Sequence, residues 1–192
     1  MKVMGLLKRI VQAIVLSLWV AITAITLTYL LVFTTTNYTI NDMNSFSSKE
    51  YNKLITHLYT AKSKAAVINI EVRSNGGYVI GGKVIINALI DTKATTSITV
   101  HDYAQSMAAI LLCYSDTLIV SPDTLIMYHL PRYTDREGVV TIYTDKTNKH
   151  FKAFEKLFTP CKKYLTEAQL QAYYKGEDVY VHPYQFWRFS NE

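Results

Sequence analysis

The chain opens on a stretch that is apolar all the way round. Residues 10–33, IVQAIVLSLWVAITAITLTYLLVF, carry no charge, and Gln12 is their one strongly polar side chain. As a helix these 24 residues would run roughly 36 Å at about 1.5 Å per residue. That length crosses a bilayer of about 30 Å with some tilt. A signal peptide has a shorter apolar core and a small-residue cleavage site, and the following FTTTNYT offers none. A helix buried in a soluble core would show a polar stripe, which this run lacks. The pattern predicts an uncleaved membrane anchor.

Beyond the anchor the period of the pattern changes. Residues 34–48 are rich in Thr, Asn and Ser and read as a linker, with a short strand at 38–40. Ser48 stands at the start of a helix whose apolar face carries Tyr51, Leu54, Ile55 and Leu58. Residues 66–72, AVINIEV, read as a strand. The turn Arg73-Ser74-Asn75-Gly76-Gly77 then leads into a helix over 80–90. A strand at 98–100 precedes a tight turn holding Ser106 and an apolar helix over 107–113. Strands at 117–120 and 125–128 flank a Ser-Pro-Asp turn and deliver His129 just ahead of Pro131. The order β-α-β-α-β-β fits an α/β domain built on crossover units.

The last third reads as a charged loop over 132–138, a short strand over 139–143 and a helix over 147–157. Phe151, Phe154, Leu157 and Phe158 share a face of that helix, and Pro160 stops it. Thr166 is the N-cap of a further short helix that Gly176 ends. Asp178 stands just before a short strand over 179–181, and an aromatic tail, PYQFWRFSNE, is expected to pack on the domain or on a partner.

Composition narrows the classes. At 192 residues the chain suits one domain plus the anchor. Its net charge of +5 is not gathered into a basic block, so nucleic acid is not an expected partner. Lys2, Lys8 and Arg9 precede the apolar run, and the next basic residue is Lys49. The positive-inside rule then places residues 1–9 in the cytoplasm and residues 34–192 outside it. Two cysteines, Cys113 and Cys161, are too few for a disulfide framework; one bridge stays open. No Cys/His cluster has zinc spacing, and no metal or cofactor is expected. The four glycines between 76 and 82 make no P-loop, because no Gly-Lys-[Ser/Thr] follows.

Ser106 and His129 carry the candidate chemistry. A serine at a helix N-terminus and a histidine at a strand end are the two halves of an activated nucleophile. Each also has a plain reading, the serine as an N-cap and the histidine as a satisfied surface or core residue. The Gly76-Gly77 pair between strand and helix frees backbone N–H groups to approach a ligand or an oxyanion.

Four segments resemble, in order, the proteolytic subunit of the Clp protease, within the wider Clp/crotonase superfamily. VRSNGGYVIGG is similar to its strand–Ser-Pro-Gly-Gly–helix turn, and AQSMAAILL to its Ala-Ala-Ser-Met-Gly nucleophile turn. PDTLIMYHLP is similar to its strand ending in Met-Ile-His-Gln-Pro, and GEDVYVHP to its Asp followed by an aromatic, a small apolar residue and Ser. The resemblance covers residues 38–185. It implies an α/β fold of repeated β-β-α and βα units, here preceded by one transmembrane helix. It also implies that residues 34–192 form a serine endopeptidase domain.

In that resemblance Ser106 is the nucleophile, His129 the general base and acid, and Asp178 the residue that orients the imidazole. The N–H groups of Gly77 and Met107 form the oxyanion hole. Peptides or unfolded protein segments are the implied substrates and a homo-oligomer the implied assembly. Any ATP-driven unfolding requires a separate ATPase partner, since this chain has no ATP-binding signature.

The departures from the family pattern are Asn75 for proline, and Asp102 and Ala108 where glycines flank the serine turn. The region after His129 is unlike the long handle through which two Clp rings meet. The anchor is similar to the signal peptide peptidase A and stomatin-cleaving branches, which use a Ser-Lys dyad. Lys146, Lys149 or Lys152 would be its lysine here. A catalytically inactive membrane scaffold and a crotonase-like acyl-CoA enzyme are the remaining alternatives.

Overall fold

The structure is a computed structural model that describes residues 2–32, 35–41 and 49–187. Side chains are described over 11–26, 35–41, 49 and 51–186. The expected helix start Ser48, most of the linker and residues 188–192 lie outside the described residues.

An unbroken helix, α1 (Lys2–Val32), forms the N-terminus. Every side chain over 11–26 is exposed, so this stretch is no core helix of the domain. Among the described residues no helix is long and apolar enough to cross a membrane. In α1 those described side chains fall inside the longer apolar run at 10–33.

The domain then proceeds through β1 (Thr35–Ile40), α2 (Lys49–Thr60), β2 (Val67–Ser74), α3 (Val79–Asp91), β3 (Thr95–Gln105) and α4 (Met107–Leu112). It continues with β4 (Thr117–Val120), β5 (Leu125–Tyr128), β6 (Arg132–Thr134), β7 (Val140–Ile142) and α5 (Lys149–Phe158). A 3-10 turn over Thr159–Tyr164, α6 (Glu167–Tyr174), β8 (Val179–Val181) and α7 (Tyr184–Trp187) complete it.

The main sheet runs β1-β2-β3-β5-β8, with β4 also paired to β3. All these pairs are parallel except β5 with β8. Burial alternates along β2, with Ile68, Ile70, Val72 and Ser74 inside. The α2 face expected from the sequence is the one that packs inward, with Tyr51, Leu54 and Leu58 buried and Ile55 partly so.

Strand β3 is longer than the apolar signal at 98–100, because its polar ends are held by backbone pairing to neighbouring strands, which leaves no apolar run in the sequence. Its first half pairs with β4 (Ser97↔Thr117 to Val100↔Val120) and its second half with β5 (Tyr103↔Leu125 to Gln105↔Met127). The turn between β4 and β5 is closed by Thr124, whose N–H donates to Ser121 O at 3.1 Å. Its hydroxyl accepts from Ser121 N–H at 3.0 Å.

Between the two halves β3 bulges. Its register with β2 jumps from Val72↔Val100 to Ser74↔Ala104. Asp102 takes φ +29° in this bulge, a left-handed region that Asp tolerates better than most residues. Its carboxylate meets Arg73 Nε at 2.9 Å, and both side chains are exposed. The charge that replaces a family glycine is therefore paired on the surface.

The segment read as a charged loop is corrected by the structure. Residues 132–134 form a strand, β6, that pairs antiparallel with β7 in a separate two-stranded hairpin. Asp135 closes the turn, accepting Val139 N–H at 2.7 Å. Arg132-Tyr133-Thr134 is exposed throughout and carries no apolar run to mark it as a strand in the sequence. The helix α6 begins as expected, with a capping box in which Thr166 Oγ1 accepts from Gln169 N–H at 3.2 Å.

Cys113 and Cys161 form a disulfide, Cα–Cα 5.3 Å, which closes the pairing left open by the sequence. It ties the end of α4 to the 3-10 turn across 48 residues. A loop of that size is worth about 4 kcal/mol in the chain-entropy account. Beside it, Phe158 stacks on Tyr173 at 4.1 Å and meets Tyr128 edge-on at 5.5 Å. The described part of the aromatic tail packs back, with Phe186 buried against Tyr164.

Candidate active site

Ser106 is the single residue between β3 and α4. Its backbone takes φ +55°, ψ −125°, a strained conformation for a residue with a side chain. The strain is held by two backbone bonds: Ser106 N–H donates to Met127 O at 2.8 Å, and Ser106 O accepts from Ile110 N–H at 3.2 Å. The hydroxyl accepts no capping bond from α4. The plain N-cap reading therefore fails, and Oγ remains available for chemistry on a half-buried residue.

Pairing in the sheet brings the other site residues to the same edge. Ser74 lies opposite Ala104, so two residues further on Gly76 comes level with Ser106. A Cβ on Gly76 would stand 2.7 Å from Ser106 Cβ, 2.7 Å from Gln105 O and 3.0 Å from Met107 N. The glycine turn thus touches the serine turn through Gly76, with φ +94°. Gly77, the glycine expected to donate to an oxyanion, is the next residue in that turn. Met107 is the first residue of α4, and its N–H lies where no intrahelical acceptor exists. Its side chain is buried against α3, where a Cβ on Gly82 would come within 2.2 Å of Met107 Cγ.

His129 is the residue after β5. Gln105 pairs with Met127 and Tyr128 with Val179, so continuing the second ladder by one step sets His129 opposite Asp178. Ser106, His129 and Asp178 accordingly share the end of the sheet formed by the C-terminal ends of β3 and β5, where α/β folds place their sites.

Side-chain bonds among the three are open. His129 Nδ1–H donates to Leu130 O at 2.6 Å, and Asp178 pairs with Arg132. Among the described residues no hydrogen bond joins Ser106 to His129 or His129 to Asp178. Asp178 is 37% exposed, not the buried carboxylate that the resemblance implies.

The bond to Leu130 has a chemical consequence. A carbonyl only accepts, so Nδ1 carries the proton and Nε2 keeps a lone pair. That is the tautomer a general base needs toward a serine. Burial holds the His129 pKa below its ordinary value of 6.5, with the Arg132 cation adding to the effect. The Leu130 carbonyl and the Asp178 charge oppose it without cancelling it. At neutral pH the ring is therefore uncharged, in its base form.

Residues 33–171 match the sequence model of the Clp protease family, described as Clp protease. The chain belongs to the Clp protease family. The match takes in Ser106 and His129 and ends before Asp178. A search of curated proteins returns no match for the chain. The mixed α/β architecture with its mostly parallel sheet fits the Clp protease fold. Membership supports a Clp-like peptidase, a serine-type hydrolase of peptide bonds. Clp proteases are typically oligomeric and act on protein substrates.

The lysines of the alternative dyad are all exposed. Lys146 Nζ lies 4.8 Å over the Tyr174 ring, and Lys149 and Lys152 sit on α5. Among the described residues none of the three is hydrogen-bonded to Ser106. No group of three or more His, Cys, Asp or Glu among the described residues could hold a metal ion.

An open cleft of about 430 Å³ lies between β1 and α2, lined by residues that include Tyr38, Lys49, Lys53 and His57. None of the candidate site residues lines it, so its volume is not evidence about the chemistry.

Arg132 is the neighbour of these residues that sequence reasoning missed. The glycine pair pointed to the right turn but not to which glycine touches Ser106. The Arg132–Asp178 pair spans 46 residues, and nothing in the sequence links its two ends.

Proposed function

We propose that this chain is a membrane-anchored serine endopeptidase that cleaves peptides or unfolded protein segments near the bilayer. Ser106 is the nucleophile, His129 the general base and acid, and Asp178 the orienting carboxylate. The backbone N–H groups of Gly77 and Met107 receive the oxyanion. The observation that carries this reading is the strained Ser106 backbone, whose hydroxyl makes no capping bond to α4, on the sheet end that His129 and Asp178 share.

In this mechanism His129 Nε2 takes the Ser106 Oγ proton as Oγ attacks the scissile carbonyl. The negative oxygen that forms is met by the two N–H groups. Each such donor contributes on the order of 3 kcal/mol to the transition state in comparable sites. The imidazolium then protonates the leaving amine, and a water deacylates the serine by the same path.

The Ser-Lys dyad is the competing reading, and substitution separates the two. His129→Ala is expected to lower kcat for peptide hydrolysis by about 10⁴-fold or more, with Lys146→Ala, Lys149→Ala and Lys152→Ala near wild type. Full activity in His129→Ala, with loss in one lysine variant, would transfer the base to that lysine.

The anchor reading rests on the apolar run at 10–33, the 31-residue length of α1 and its exposed apolar side chains, among them Leu16, Trp19 and Ile25. The Cys113–Cys161 disulfide supports a domain outside the reducing cytoplasm. The full chain is expected to stay with membranes in alkaline carbonate, and its cysteines to resist alkylation until reduced. Release into the supernatant would remove the anchor. A homo-oligomer completes the proposal; a separate ATPase would serve only a cytoplasmic domain, and outside the cytoplasm the substrates are short or already unfolded.

A further inference from the structure

Arg132 occupies the carboxylate that the proposed relay requires. It is the first residue of β6, three residues past His129, and its guanidinium pairs with Asp178 Oδ1. Both side chains are about one-third exposed, so the pair is accessible and yet not fully solvated. His129 Nδ1, the atom that Asp178 would otherwise hold, is bonded instead to the neutral Leu130 carbonyl at 2.6 Å. The ring has the correct tautomer without the carboxylate. A carbonyl fixes the tautomer, but it does not stabilise the imidazolium as a carboxylate does. The Arg132 cation beside the ring opposes that imidazolium directly.

We propose that Arg132 is a latch: it keeps Asp178 from His129, and the site becomes more reactive when Arg132 is drawn away and Asp178 passes to His129 Nδ1. This rests on the Ser106–His129–Asp178 reading given above. Arg132 is a positioning residue, acting on Ser106 only through Asp178 and His129. Its backbone belongs to the β6–β7 hairpin, which is tied to the chain beside the site by Tyr143 N–H donating to Pro131 O at 3.0 Å. The hairpin exposes Tyr133, Val139 and Val140, so a contact there has a direct mechanical route to the latch.

The test is a titration of the His129 ring by NMR on the full chain with labelled histidine, its signal assigned by its loss in His129→Gln. Arg132 and Asp178 are the charged groups acting on this ring. Four proteins are compared: wild type, Arg132→Gln, Asp178→Asn and the double variant. The latch predicts that Arg132→Gln raises the His129 pKa by about one unit or more, and that most of this rise disappears in the double variant. Arg132→Lys, which keeps the cation and a partner for Asp178, should stay near wild type. An unchanged pKa in Arg132→Gln overturns the latch. So does an equal rise in the double variant, which would mean that only the cation's charge was removed.

Fluorophosphonate labelling of Ser106 is the second readout, and Arg132→Gln should label about tenfold faster than wild type. Slower labelling would make Arg132 a support for Asp178 and overturn the latch. The predicted pKa pattern with no labelling in any protein would uphold the switch and defeat the peptidase reading alone.

Discussion

Ser106→Ala is expected to lower kcat for peptide hydrolysis by about 10⁴- to 10⁶-fold while leaving the fold intact. The size follows from the covalent step, in which Ser106 Oγ takes the acyl chain. The intact fold follows from the local geometry. The hydroxyl makes no capping bond, and the strained φ +55° is held by backbone bonds that alanine retains. Melting temperature and hydrolysis of an unfolded protein substrate, measured on the same preparations, separate the two effects. Comparable turnover by the variant would remove Ser106 as the nucleophile.

Gly76→Ala should be among the most damaging single-methyl additions in the domain. At φ +94° an alanine is strained before it meets any neighbour. Its Cβ would also stand 2.7 Å from Gln105 O, a backbone atom, and 2.7 Å from Ser106 Cβ. Neither can swing aside as a long side chain would. Strain of about 1–2 kcal/mol and overpacking of about 1–3 kcal/mol give an expected loss of about 2–5 kcal/mol. Any protein that still folds should lose Ser106 reactivity, because the turn must move by displacing the serine. Gly138→Ala is the control. Its φ is +83°, but nothing lies within 4 Å of the added methyl, so only the strain is expected. Equal losses in the two variants would show that contact with the serine turn contributes little.

The elements legible in the sequence were those with a strong period or a clear stop. Strands β4, β5 and β8 fall where their apolar runs fall, and α6 begins at the Thr166 cap. The long polar ends of β3 and the short β6 were not legible, because backbone pairing and not apolar burial makes them strands.

The site divides in the same way. Ser106 stands out because it opens an apolar run, and His129 because it closes one just ahead of Pro131. Their common edge rests on strand order, which no local pattern encodes. The partners actually made, Leu130 O for His129 and Arg132 for Asp178, are tertiary and electrostatic. Residue type and spacing identify groups capable of a relay; they do not say which cation holds the carboxylate.

The most direct measurement on the central claim is fluorophosphonate labelling of the full-length wild-type chain beside Ser106→Ala, with the modified residue mapped by peptide mass. One adduct is expected, on Ser106, absent from the variant. An adduct on another residue, or none on a folded wild type and none on Arg132→Gln, would contradict an activated Ser106 and bring the inactive scaffold forward.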